Sequence, residues 1–89
     1  MNDLLEIKVI TPREVLLEGK ARALSSKNSN GIFDILPEHA NFITIVDNQP
    51  IVVHLEKEDK TFNFSQAIIY QKANKVLVFA EPLSVQLSK

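Results

Sequence analysis

An all-β fold, a sandwich or barrel of short strands, is what this sequence predicts, on three observations. Short apolar runs recur at intervals of about ten residues. Most of them are rich in the β-branched and aromatic side chains that suit a pleated surface. Between them lie clusters of Asn, Asp, Gly, Pro, Ser and Lys with turn chemistry, such as KNSNG (27–31), DNQP (47–50), KEDK (57–60) and KAN (72–74). The 89 residues predict one small domain over 1–89 with one modest core. Hydrophobic residues reach 45%, too many for a disordered chain.

Residues 4–11 (LLEIKVIT) alternate, with Leu5, Ile7 and Val9 on one face. The segment that follows, TPREVLLEGKARALSSK, reads two ways. Thr11-x-x-Glu14 with Pro12 resembles a capped helix start. Gly19 would then sit mid-helix at a cost of ~1 kcal/mol, and Val15, Leu16, Leu17, Ala21, Ala23 and Leu24 fit no single helical stripe. Two strands meeting near Gly19 are therefore expected. Asn30-Gly31 suits a tight hairpin turn with positive φ.

Residues 32–46 are apolar on both faces of the alternation, through Ile32, Phe33, Ile35, Leu36, Phe42, Ile43, Ile45 and Val46. A sandwich strand normally shows one face to water, so one side of this run needs cover from a loop or a partner. Ile51, Val53 and Leu55 then alternate with His54 and Glu56. Residues 67–72 and 75–80 carry strand composition, and Leu83, Val85 and Leu87 alternate with Ser84 and Gln86 in a last predicted strand.

Composition excludes several function classes. Ten basic and eleven acidic residues give no net basic face for phosphate backbones, so no nucleic acid is expected. Without cysteine there are neither disulfides nor thiolate metal sites, and an intracellular setting is expected. The start lacks signal-peptide character, and no window approaches the ~20 apolar residues of a membrane span.

No metal is expected from Asp34, Glu38, His39 and His54, because the acids and histidines do not converge as zinc ligands must. His39 reads as a turn histidine bonded to nearby backbone. The serines carry no nucleophile-elbow motif, and two glycines cannot build a phosphate loop. No catalytic residue and no cofactor is expected. Phe62, Phe64 and Tyr70 read as core aromatics rather than a base-stacking platform, since acids offset the nearby lysines.

Three pieces, IKVITPREVLLEGKA, NGIFDILPEHANFIT and NKVLVFAEPLSV, resemble the N-terminal β-sandwich domain of the epsilon subunit of F-type ATP synthases. The most specific is Ile35-Leu36-Pro37-Glu38-His39-Ala40. The resemblance implies a flattened antiparallel sandwich of about ten strands and a non-catalytic rotor subunit. Such a subunit joins the gamma subunit to the c-ring, at the cytoplasmic face of the membrane and without insertion. It implies that Asn30, Gly31 and Ile32 lie at the ring side. Pro37, His39, Ala40 and Phe42 would lie next to gamma. Departures from the family include Asp34 and Glu38, where glycine is common, an apolar Ile32, and the lack of a two-helix C-terminal segment after Lys89. A free-standing sandwich adaptor for another protein partner is the alternative expectation.

Overall fold

The computed structural model describes residues 4–82, and every regular element in that span is a strand. These are β1 (Leu5–Ile10), β2 (Val15–Asn28), β3 (Gly31–Ile35), β4 (Phe42–Asp47), β5 (Pro50–Leu55), β6 (Asp59–Lys72) and β7 (Lys75–Pro82). Seven strands stand where about ten were expected. Part of the difference lies in β2, 14 residues long, which runs through what reads in sequence as two strands, while β6, equally long, extends the strand expected at 67–72 back to Asp59. The predicted strand at Leu83, Val85 and Leu87 lies outside the described residues.

The helix-like start at Thr11 folds as a turn. Thr11 Oγ1 accepts the backbone N–H groups of Arg13 and Glu14 at 3.2 and 3.3 Å, and the Thr11 N–H donates to the Glu14 carbonyl at 2.9 Å. The capping chemistry is present, but strand pairing takes over from Val15 onward. Gly19 lies within β2, paired with Ile7 of β1, and is not a junction.

The strands form two layers. The first has the order β4-β6-β7-β1-β2, in which only β7 and β1 are parallel. The second has the order β6-β5-β2-β3 and is wholly antiparallel. Both long strands belong to both layers, and each crosses at a bulge. In β2 the register jumps between Ala21 and Ala23, leaving Arg22 as the extra residue; in β6 it jumps between Phe64 and Gln66, leaving Ser65. An inserted residue bends a strand and reverses which side chains face inward. Before Arg22 the inward residues of β2 include Leu17 and Ala21; after it they are Leu24 and Ser26. Before Ser65 they are Phe62 and Phe64; after it, Ala67, Ile69 and Gln71.

The core between the layers is continuous. Leu5, Ile7 and Val9 of β1 meet Leu24, Ile35, Val46, Ile51, Val53, Ile69 and Val78, all at most 2% exposed. Two buried polar side chains pin backbone to this core, at the start of β5 and in the connection between β3 and β4. Ser26 Oγ donates to the Pro50 carbonyl at 2.9 Å, and Gln71 Nε2 donates to the His39 carbonyl at 3.4 Å.

Candidate docking surface

The seven residues expected to touch partners fall into two groups. Ser29 and Asn30 form the loop between β2 and β3, where the Asn30 N–H donates to Asn28 Oδ1 at 2.8 Å. Gly31 follows with φ 122°, a backbone conformation that suits glycine. Ile32 stands 83% exposed on β3, an edge strand. Pro37, His39 and Ala40 lie at the other end of β3, in the connection to β4. With a rise of ~3.3 Å per residue, tip and turn are about 20 Å apart. They are two poles, not one site.

The 36–41 turn is held from several sides. Glu38 adopts φ 71°, and its N–H donates to Asn74 Oδ1 at 2.6 Å. The His39 N–H donates to the Leu36 carbonyl at 3.1 Å, and its ring Nδ1 donates to the Ala40 carbonyl at 2.7 Å. The His39 ring also meets Phe42 edge-on, 5.4 Å between centroids. Phe42 points inward, its ring 5.4 Å from Phe33 and packed against the core. It shapes the turn and belongs to the fold, so Phe42→Asp reports on folding more than on docking.

The two-sided apolar run resolves by alternation. Val46 and Ile35 face the core, while Ile43 and Ile45 face out from β4. Pairing extends these two into rows across the first layer. Ile43 lies opposite Tyr70, which lies opposite Leu77; Ile45 lies opposite Ile68, which lies opposite Phe79. These six side chains are 37–66% exposed and form one contiguous apolar face. A patch built this way on three paired strands is a candidate interaction surface.

The second layer presents the opposite chemistry. Ser25 Oγ donates to Asp34 Oδ1 at 2.5 Å and lies 3.0 Å from His54 Nε2, while His54 Nδ1 lies 3.0 Å from Asp59 Oδ1. Arg22 reaches the same Asp59 at 3.9 Å. This Ser-His-Asp array superficially matches a nucleophilic triad, but the proton order is wrong. A nucleophilic serine must give its proton to histidine, and here the hydroxyl gives it to Asp34. The array is a polar ladder over four paired strands, the water-facing side of a sandwich. Asp34 and His54 thus have structural partners. Glu38 and His39 are engaged with Asn74 and backbone, and no group of three His, Asp or Glu residues suited to a metal occurs among the described residues.

Four members of the apolar face, Ile68, Tyr70, Leu77 and Phe79, were not expected as site residues. Tyr70 in particular is no core aromatic, at 45% exposed, whereas Phe64 is buried and Phe62 packs against the core. The signal was present in sequence. AIIY (67–70) and VLVFA (76–80) are unbroken apolar runs where alternation was due, which marks strands covered on both faces.

Comparison with known proteins agrees with this architecture. Residues 4–84 match the family described as the beta-sandwich domain of the ATP synthase delta/epsilon chain. The ATP synthase epsilon chain of Sulfurimonas denitrificans is 29% identical over 80 residues, covering 86% of this chain and 60% of that one. The epsilon chain of Rickettsia africae is 26% identical over 84 residues, covering 91% of this chain and 75% of its own length. Among solved structures, a chain in the Euglena gracilis mitochondrial ATP synthase OSCP/F1/c-ring assembly superposes with a TM-score of 0.83 at 12% identity, over 90% of this chain and 52% of that chain. A chain in the central stalk and c-ring of the Tetrahymena thermophila mitochondrial ATP synthase gives 0.73 at 9% identity, over 86% and 63%. At such identities the structural likeness establishes the fold.

Proposed function

This chain belongs to the ATP synthase delta/epsilon chain β-sandwich family, and we propose that it serves in the central stalk, joining the gamma subunit to the c-ring. In this role it is a non-catalytic coupling part, peripheral to the membrane on its cytoplasmic side and attached through the complex. Residues 1–89 act as one domain. No helix among the described residues is long and apolar enough to cross a bilayer.

The observation that carries the proposal is the contrast between the two outer faces. The first layer exposes Ile43, Ile45, Ile68, Tyr70, Leu77 and Phe79, and the second a hydrogen-bonded polar ladder. Burying the apolar face against gamma removes it from water and leaves the polar face solvated. The 36–41 turn borders that contact, with Pro37, His39 and Ala40 at the rim and Phe42 holding the turn from within. At the opposite pole the tip Asn30, Gly31 and Ile32 faces the c-ring, and Ile32 offers an apolar contact there.

The test is reconstitution with the ATP synthase gamma subunit of the same organism. The two are expected to co-purify as a stoichiometric complex. Ile68→Glu, which places a charge at the centre of the face, is expected to weaken it on the order of 100-fold while the melting transition of the free chain stays in place. Absence of any complex at micromolar concentration overturns the proposal.

A further inference from the structure

The apolar face of the first layer changes character along its strands. Asp47, Gln66 and Glu81 lie in one cross-strand row at one end. At the other end Lys72 lies opposite Lys75, which lies opposite Glu6, which in turn lies opposite Lys20. Gln66 and Lys72 are six residues apart on β6, so an acidic and a basic border stand about 20 Å apart with the apolar rows between.

The basic end is concave. A depression of about 790 Å³ is floored by Tyr70 and Leu77 and rimmed by Lys8, Lys20, Lys72 and Lys75. Only Glu6 and Glu18 among its lining residues are acidic, leaving an excess of two positive charges. Glu18 is engaged by Lys8 at 3.9 Å. Among the described residues, Lys20, Lys72 and Lys75 have no carboxylate within 4.0 Å.

Resting on the docking reading above, we propose that this trough seats an amphipathic helix of the gamma partner, with its carboxylates against Lys20, Lys72 and Lys75. The helix lays its apolar side on Tyr70 and Leu77. Three features select this occupant. The floor is continuous with the apolar face, so one partner covers both. The unpaired rim charge calls for acidic complement, which gives orientation and speeds encounter. Finally, β6, β7 and β1 are each paired on both sides, so the floor of the trough offers no open strand edge, and a partner seated on it docks through side chains. From β6 to β2 the trough spans three strand spacings, about 14 Å, enough for a helix of ~10 Å diameter.

Binding of the gamma subunit to the full chain, followed by stopped-flow across a salt series, tests this against Lys72→Glu/Lys75→Glu. The double reversal is expected to lower the association rate about tenfold or more at low salt and to flatten its salt dependence. Both lysines are exposed, so the melting transition should not move, and circular dichroism checks that. Unchanged rate and salt slope in the double variant, with Ile68→Glu still disrupting the complex, overturn the trough proposal and leave the docking reading standing. If Ile68→Glu has no effect either, the docking reading itself fails. Sedimentation with phosphatidylglycerol vesicles supplies the remaining arm. Vesicle binding that the double reversal removes, with gamma affinity unaltered, assigns the lysines to a lipid surface and overturns the proposal.

Discussion

At single residues, the backbone shows where this chain departs from what its turns favour. Glu38 holds φ 71° without being glycine, and a side chain in that region costs on the order of 1 kcal/mol. Glu38→Gly is expected to relieve the strain and raise stability by ~1 kcal/mol, less the entropy glycine returns to the unfolded chain. Gly31 is the converse, with φ 122° and no atom within 4 Å of the point where a Cβ would stand, so crowding is not the obstacle. Gly31→Ala is expected to cost ~1–3 kcal/mol through backbone conformation alone. Urea unfolding should therefore put the Gly31→Ala midpoint well below the parent's and the Glu38→Gly midpoint at or slightly above it. The sequence signalled the Gly31 turn through Asn30-Gly31, whereas Glu38 gave no local sign of positive φ. Its conformation is imposed by the Asn74 side chain, 36 residues away.

At the level of elements, the two bulges explain why strands were harder to count than to detect. Alternation of Leu5, Ile7 and Val9 is legible because β1 stays in one layer and one phase. The pattern of β2 looks irregular because its inward phase reverses at Arg22, and a reversed phase reads in sequence as two strands. The inward phase of β6 likewise reverses at Ser65. The inserted residue matters more than its identity. Arg22→Ala loses a hydrogen bond to the Leu55 carbonyl and a long ion pair to Asp59, both exposed, and should cost no more than ~1 kcal/mol. Deleting Arg22 instead turns Leu24 outward or Ala21 and Leu17 outward, and is expected to abolish the cooperative melting transition. A deletion variant that melts like the parent would show that β2 tolerates the slip.

For the whole molecule, exposing the apolar face has a cost when no partner is present. The isolated chain is expected to self-associate as its concentration rises, and Ile45→Glu/Ile68→Glu to remain monomeric at the same concentration, as read by sedimentation velocity. If the parent is monomeric throughout, the face is better solvated than its composition implies. The candidate site was only half legible in sequence for a related reason. Residues 32–46 showed an apolar excess that pointed to a surface, yet Phe42 and Ile43 differ only in which way the pleat turns them. Their partners on β6 and β7 come from non-local pairing, which no window of sequence displays.

The parallel pairing of β1 with β7 carries one more consequence. Because these neighbours run in the same direction, the start of β1 and the end of β7 leave the layer at opposite ends. Tension applied between those points slides the two strands past each other, loading the ladder from Glu6↔Lys75 to Ile10↔Phe79 in shear, with all of its bonds strained together. An antiparallel pair pulled from one end unzips a bond at a time. The fold therefore has the geometry of a mechanical clamp, and under stretching it should resist as a single brittle unit.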